Sequence, residues 1–175
     1  MKTPYLETER LKLRTFKIDD TEEVFKCWES DPRVAQYMFW TSHYDINKTK
    51  EWVMSEIDKI ENDEWYRWCI EEKSTGNIIG TCLIYYEDEV ENYEIAYNFG
   101  YKYWGKGYAT EAMKEVISFA KDKLEIKELV GRHANENTAS ENVLKKLGFK
   151  YEKDIPYECN DGTVMLKGKM CILHM

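Results

Sequence analysis

Residues 94–112 read EIAYNFGYKYWGKGYATEA, and the pattern of this run changes twice. Up to Phe99 it is typical of a β-strand, and from Tyr108 onward its apolar residues recur at helical spacing. Two glycines, Gly105 and Gly107, lie between the two parts. Backbone N–H groups at the start of such a helix converge on an anion, and glycine lets the backbone approach a phosphate closely. The run therefore predicts an anion site at a strand–loop–helix junction.

The helix that follows Gly107 has the clearest pattern in the chain. Its apolar stripe consists of Ala109, Ala112, Met113, Val116, Ile117, Ala120 and Leu124. A stripe of this width predicts a long amphipathic helix.

Patterns in the rest of the chain predict an ordered set of strands and helices. Strands are expected at residues 6–16, 65–72, 78–86, 93–99, 126–132, 149–157 and 164–172, and further helices at about 19–31, 48–60 and 138–147. Asp31-Pro32 is expected to stop the first helix, and the aromatic segment 37–40 to be irregular. The three strands between 65 and 99 are expected to form an antiparallel meander, so the chain is predicted to be mixed α/β around one sheet.

Composition limits the function classes. The 175 residues, 43% of them hydrophobic, are expected to form one domain, residues 1–175, because no linker is visible. A net charge of −8 argues against nucleic acid as the primary ligand and suits a cationic partner. The lack of a signal peptide or a long apolar run predicts a cytoplasmic protein with no membrane partner. Three scattered histidines and the absence of a C-x-x-C pair predict no metal site.

Two common phosphate motifs are absent from the chain. There is no G-x-x-x-x-G-K-[ST] loop, and no G-x-G-x-x-G followed by an acidic residue in a βαβ unit. The strand before the glycines lies in the antiparallel meander. The anion site is therefore of a different kind from those of nucleoside triphosphatases and dinucleotide enzymes.

Residues 94–112 as a whole closely resemble the acetyl-CoA motif of the GNAT superfamily, in particular the ribosomal-protein N-terminal (alanine/serine) acetyltransferases. The family motif places a Gln or Arg three residues before a glycine and a small residue two positions after it, and these positions are Trp104, Gly107 and Ala109 here. Trp104 departs from the family's polar residue. Residues 135–149, NENTASENVLKKLGF, resemble the second cofactor motif of the family, in the expected order and spacing.

The resemblance implies a GNAT-like α+β fold. Its mixed, mainly antiparallel sheet has about seven strands flanked by about four helices, with a V-shaped opening between the fourth strand, 93–99, and the fifth, 126–132. The implied activity is that of an acyltransferase that moves the acetyl group of acetyl-CoA directly to a primary amine, without an acyl-enzyme intermediate. The implied cofactor contacts are Tyr97, Asn98, Phe99, Trp104, Gly105, Lys106, Gly107, Tyr108, Ala109, Thr110, Asn137 and Ser140.

The resemblance also suggests catalytic residues. Glu94 is the first candidate for the base that deprotonates the amine, with His133 as runner-up, and a surface or ion-paired carboxylate is the alternative role for Glu94. Ser140 is the candidate donor to the departing thiolate, with Tyr151 as a second choice, although a serine in a first helical turn also bonds the backbone. Asn137 either contacts the ligand or caps the helix.

The acceptor is not identified by these motifs. Its site is expected in the variable parts, chiefly the first two predicted helices with residues 37–44 between them, and the segment 157–161. The acidic turn 87–91 suits a cationic amine, although such a charge run is also typical of a solvated face. A protein N-terminus, a polyamine and an aminoglycoside all remain open, as does a monomer or a homodimer. The competing hypothesis is a regulatory or ribosome-associated module that binds coenzyme A without catalysis.

Overall fold

The computed structural model describes residues 1–175. One eight-stranded sheet runs through it, in the order β1-β2-β3-β4-β5-β6-β8-β7. The strands are β1 (Leu6–Glu7), β2 (Leu11–Arg14), β3 (Trp65–Glu72), β4 (Ile78–Glu87), β5 (Asn92–Phe99), β6 (Glu128–Ala134), β7 (Lys150–Cys159) and β8 (Val164–His174). Every neighbouring pair is antiparallel except β5 and β6, which are parallel.

Five α-helices accompany the sheet. They are α1 (Thr21–Val24), which continues into a π-helical turn over Phe25–Glu29, α2 (Pro32–Ala35), α3 (Ile46–Asp58), α4 (Tyr108–Lys123) and α5 (Thr138–Leu147). None of the helices is long and apolar enough to cross a membrane. The architecture is the mixed α/β fold that the resemblance implied, with one strand and one helix more than expected.

Apolar cores lie on both faces of the sheet. The predicted stripe of α4 packs on one face, where Met113 and Val116 are fully buried. On the other face, a smaller core gathers Val24, Trp28 and Val53 from the first helices. The first seven residues of β4 are buried, because this central strand is covered on both sides.

The sheet opens between β5 and β6. Their register contains a single pair, Glu94 with Val130, whereas the neighbouring β4–β5 pair contains eight. The rest of β5, residues 95–99, therefore has no strand partner on that side. This is the V-shaped opening that the resemblance implies between 93–99 and 126–132.

Three predicted segments differ in kind or position from the structure, beyond shifts of one or two residues at other element ends. The strand expected at 6–16 is a hairpin, because Thr8 Oγ1 accepts the N–H of Leu11 and turns the chain between β1 and β2. The strand expected at 126–132 is displaced to Glu128–Ala134. Asp31-Pro32 ends one helical segment but also starts α2, since Asp31 caps it and proline is favourable at the first helical position.

Candidate functional site

One cavity of about 500 Å³ lies at the open end of the sheet. Its walls come from α2 and the segment after it, the end of β5, the glycine loop (residues 104–107) with the start of α4, and the start of α5. Eleven of the twelve sequence-predicted cofactor residues line it: Tyr97, Asn98, Phe99, Trp104, Gly105, Gly107, Tyr108, Ala109, Thr110, Asn137 and Ser140. Lys106 alone is not in the wall. The structure thus brings the two sequence motifs to one cavity.

The glycine loop exposes backbone groups to this cavity, with no side chain on either glycine. Gly105 and Gly107 have φ angles of 71° and 78°, in the left-handed region that favours glycine. Gly107 is the N-cap of α4, and no side chain caps the helix. The first amides of α4 are therefore available to an anion, and the helix dipole adds a positive potential there.

Arg10, on the turn of the N-terminal hairpin, supports the glycine loop from outside the cavity. Its Nη1 donates to the carbonyl of Lys106 at 3.0 Å, and its Nε donates to Glu111 Oε2 at 2.6 Å. The guanidinium also lies 4.3 Å from the centre of the Tyr108 ring. Sequence reasoning missed Arg10, because nothing near it in the chain points to a loop 96 residues away.

The start of α5 forms the opposite side of the opening. Asn137 is its N-cap, and its Oδ1 accepts the N–H of Ser140 at 3.1 Å. Ser140 Oγ in turn lies 3.0 Å from the hydroxyl of Tyr97, which belongs to β5. Asn137 therefore caps the helix while facing the cavity, so the two roles considered for it are compatible.

The end of β5 presents the backbone N–H and C=O of Phe99 to the opening. The Phe99 carbonyl faces the open edge, because it accepts the indole N–H of Trp104 at 2.8 Å. The N–H and C=O of one strand residue point to the same side, so the Phe99 N–H also faces this edge. Asn98 Nδ2 is buried without a hydrogen-bond partner.

Glu94 lies where β5 and β6 diverge, and it does not line the cavity. Its side chain is buried, and Arg132 from β6 binds it, with Nε 3.0 Å from each carboxylate oxygen and Nη2 2.7 Å from Oε2. Arg132 also contacts Glu87 at 3.3 Å and Glu89 at 3.0 Å. Burial raises the pKa of the Glu94 carboxyl above its usual value, and Arg132 opposes part of that rise.

The two second-choice residues lie elsewhere. His133 is 1% exposed, its Nδ1 donates to the carbonyl of Ala134 at 2.9 Å, and its Nε2 has no partner. Tyr151 is 58% exposed and its hydroxyl donates to Asp154 at 3.2 Å. Neither side chain lines the cavity. No group of three or more His, Cys, Asp or Glu side chains in the chain is arranged to hold a metal ion.

The cavity wall that faces the glycine loop is an irregular segment fixed by the tip of the β7–β8 hairpin. Residues 157–161, the clamp, donate hydrogen bonds to five carbonyls: those of Ala35, Tyr37, Met38, Phe39 and Trp40. Tyr157 contributes its hydroxyl, at 2.9 Å from the Tyr37 carbonyl, and Asn160 contributes its backbone N–H and its side-chain amide. Because irregular backbone needs such partners, the clamp holds this wall in place.

The sequence prediction for this wall was incomplete. Residues 37–44 and 157–161 were both expected near the acceptor, but α2 was not predicted, and Arg33, Val34 and Gln36 also line the cavity. The available signal was Asp31-Pro32, which is typical of a helix start as well as a helix stop.

Comparisons with known proteins give a consistent result. Residues 10–150 match the family model described as an acetyltransferase (GNAT) domain. An uncharacterised N-acetyltransferase, p20, from Bacillus licheniformis is 33% identical over 148 residues, which cover 84% of this chain and 83% of that protein.

Solved structures extend the likeness over nearly the whole chain. The ribosomal-protein-S5-alanine acetyltransferase from Vibrio fischeri superposes with a TM-score of 0.83 at 18% identity, covering 98% of this chain and 96% of that one. A microcin C7 self-immunity acetyltransferase in complex with acetyl-CoA and AMP gives a TM-score of 0.84 at 19% identity, covering 95% and 93%. At these identities the likeness shows a shared fold.

Proposed function

Because this chain belongs to the GNAT acetyltransferase family, we propose that it transfers the acetyl group of acetyl-CoA directly to a primary amine. It is an acyltransferase that uses acetyl-CoA, so the family and the cofactor implied by the two motifs are confirmed. Direct transfer, the amine and the residue roles given below are our proposal.

One observation carries the proposal: the two cofactor motifs, separated by more than twenty residues, line a single cavity at the opening of the sheet. A pantetheine arm is an extended chain with amides, and the unpaired edge of β5 offers backbone groups to such a chain. The cavity and its edge thus fit coenzyme A.

The glycine loop is the proposed pyrophosphate site. Gly107 exposes the first amides of α4, and Arg10 holds the loop from behind through the Lys106 carbonyl. Backbone N–H groups at a helix start favour negative charge, and glycine leaves room for the phosphate oxygens. Trp104 is turned toward β5 by its bond to the Phe99 carbonyl, so its contribution is to the shape of the loop.

Acetyl-CoA supplies an activated thioester. The Phe99 N–H, which faces the open edge of β5, is the proposed donor to the thioester carbonyl oxygen. A fixed N–H at that position stabilises the negative charge that develops on the oxygen during attack. No nucleophilic side chain is required, because the amine itself attacks.

Glu94 is the proposed base for the amine. Its buried position and its raised pKa favour proton acceptance at a pH nearer neutrality than an exposed glutamate allows. Its contact with Arg132 gives it a competing structural role as a buried ion pair, which links the two strands at their point of divergence. The two roles predict different pH dependences of the rate.

We propose that the acceptor is a protein N-terminus or a small cationic amine. Four acidic residues lie at the end of β4 or in the turn after it: Glu87, Asp88, Glu89 and Glu91. With a net charge of −8, they favour the approach of a cation. The V. fischeri neighbour, whose name specifies a ribosomal-protein alanine, supports the choice of a protein N-terminus as one test substrate.

Calorimetric titration with acetyl-CoA, followed by a thiol-release assay on a panel of amines, tests the proposal. The panel contains peptides with N-terminal alanine or serine, spermidine and kanamycin. We expect saturable binding of acetyl-CoA and thiol release with at least one amine. Binding without turnover on any amine would favour the non-catalytic module, and lack of binding would refute the cofactor site.

A further inference from the structure

The side-chain amide of Asn98 is an unused hydrogen-bond donor in the wall of the cavity. Asn98 is half-buried and lines the cavity, but its Nδ2 is buried and has no partner. Thr81, which is paired with Asn98 across β4 and β5, donates its hydroxyl proton to the carbonyl of Trp68 at 2.8 Å. A buried donor without a partner is unfavourable and rare in proteins. The Asn98 amide therefore indicates a ligand group that completes it.

Asn98 lies on the face of the sheet opposite to α4. Directly paired residues of antiparallel strands share a face, and Cys69, Thr81 and Asn98 form one such row across β3, β4 and β5. Cys69 belongs to the smaller core under the first helices, whereas Phe99, the next residue of β5, belongs to the core under α4. Val34 of α2 belongs to the smaller core and also lines the cavity. Asn98 thus shares its face with the α2 wall.

The amide of Asn98 can present its donor to the cavity. The torsion about the Cβ–Cγ bond of asparagine is broad and roughly two-fold, so a half-turn exchanges Nδ2 with Oδ1. The oxygen then takes the buried position, where a missing partner is better tolerated than at an N–H group. The NH2 group donates two hydrogen bonds and accepts none, so its partner in a ligand is an acceptor such as a carbonyl oxygen.

The proposed acceptors differ in what they offer to this donor. In the proposed function, the Phe99 N–H at the edge of β5 holds the thioester carbonyl, and the amine attacks the carbon of that group. Asn98 is the next residue along the strand, so its side chain lies close to the groups that flank the reacting nitrogen. A peptide N-terminus has a carbonyl oxygen on the carbon after its Cα. A polyamine has only CH2 groups there and would leave the donor unpaired.

We propose that Asn98 determines the class of the acceptor, because its side-chain amide donates a hydrogen bond to a carbonyl oxygen next to the attacking amine. The first residue of a protein or peptide carries such a carbonyl. The inference rests on the proposed function, since it requires an amine substrate in the cavity. It deepens that function by selecting an α-amino acyl group over a polyamine or an aminoglycoside. Asn98 itself neither gains nor loses a proton in the reaction.

The test uses two acceptors that differ at one carbonyl. One is a peptide with N-terminal alanine, and the other is the same peptide with its first amide replaced by an (E)-alkene, which keeps the shape but has no carbonyl oxygen. The kcat/KM of thiol release is measured for both. The wild type should prefer the amide at least about tenfold, the effect of one hydrogen bond. Asn98→Leu should lower this preference about tenfold, because leucine has a similar volume and no donor.

Asn98→Asp is the second variant, because an ionised carboxylate keeps the shape of the side chain but donates no hydrogen bond. It should lose the preference as Asn98→Leu does. The two acceptors also differ in the basicity of their amines and in the N–H of the first amide. These differences are the same for every variant of the protein, so they cancel when the preferences are compared.

Asn142→Ala is the matched control, because Asn142 is an exposed asparagine on the α5 side of the same cavity wall. It should keep the wild-type preference for the amide. Calorimetry gives the Kd of acetyl-CoA for each variant, and circular dichroism verifies that each variant is folded.

The outcomes separate the two proposals. If acetyl-CoA does not bind the wild type, the proposed function fails and the role of Asn98 fails with it. If acetyl-CoA binds but only spermidine or kanamycin is acetylated, the role of Asn98 is wrong and the proposed function stands. The same holds if the wild type and both Asn98 variants show an equal preference.

Two further results would overturn the role of Asn98. Weaker binding of acetyl-CoA by Asn98→Leu, with an unchanged preference between the two peptides, would assign the amide to the cofactor. An equal loss of preference in Asn142→Ala would show that the carbonyl is not recognised by Asn98 in particular.

Discussion

Gly107 adopts a φ of 78°, and a Cβ added there would lie 3.5 Å from Arg10 Nη2. Gly107→Trp should weaken acetyl-CoA binding at least a hundredfold, since about two hydrogen bonds to a charged group are lost. The indole would occupy the place proposed for the pyrophosphate. Calorimetric titration with acetyl-CoA measures the loss.

Gly76→Trp is the control for Gly107→Trp. Gly76 has nearly the same φ, 73°, and a Cβ there meets no atom within 4 Å. The backbone strain is therefore similar in the two variants, but Gly76 is not in the cavity wall. Equal binding by both variants would show that the glycine loop does not hold the cofactor.

Glu94→Gln tests the proposed base. A base acts in its deprotonated form, so the wild-type rate should rise as the pH passes upward through the raised pKa of Glu94. The variant should lose this rise and react about a hundredfold more slowly, which is the usual size of general base catalysis. The rate is measured against pH with an amine that the panel identifies.

Glu89→Gln serves as the control for Glu94→Gln, because it removes another carboxylate from Arg132. Glu89 is 75% exposed, so its pairing contributes little to stability, and the rate at saturating amine should not change. If Glu94→Gln is fully active at every pH but less stable to urea, the carboxylate is a structural partner of Arg132 and the proposed base is wrong.

The clamp holds a segment that lies about 120 residues earlier in the chain. Asn160 has a φ of 51°, which glycine adopts without strain, so Asn160→Gly removes only the side-chain amide and its bonds to the carbonyls of Ala35, Met38 and Trp40. We expect about 1–2 kcal/mol lower stability in urea unfolding. Amide exchange should become faster in residues 36–42, because this wall loses its fixed position.

Asp161→Gly is the matched variant. Asp161 has a similar φ of 55°, its side chain makes no hydrogen bond, and its backbone N–H still donates to Phe39 after substitution. It should therefore keep wild-type exchange and equal or slightly higher stability. Faster amide exchange in residues 36–42 of Asp161→Gly, or unchanged exchange there in Asn160→Gly, would contradict the role given to the Asn160 amide.

At the level of elements, long periodic segments were predicted well. The bounds of β3 and α5 agree with the sequence prediction at every residue, and α3 and α4 agree within about a turn. Their patterns depend on local side-chain spacing, which the sequence contains in full. The N-terminal hairpin was predicted as one strand because its turn depends on Thr8, which is also held by Glu111 of α4.

The whole molecule offers a direct test of cofactor binding across the opening. Acetyl-CoA at about a hundred times its dissociation constant should stabilise the fold by about 2.7 kcal/mol and raise the unfolding temperature. ATP and NAD should have no such effect, since the chain lacks their motifs. Thermal unfolding with each ligand measures the difference, and protection by ATP or NAD but not by coenzyme A would assign the glycine loop to another ligand.

The sequence by itself determined the family, the acetyl donor and the two motifs that line the cavity. It could do so because the local spacing of apolar residues predicts strands and helices. Gly105 and Gly107 likewise indicate the loop, since glycine adopts the positive φ angles that its backbone requires. Only the tertiary structure decided that Arg10 supports the loop, that Arg132 holds Glu94, and that Asn160 fixes a wall 125 residues away. These contacts form when distant segments pack together, and no pattern along the chain specifies which donor meets which acceptor.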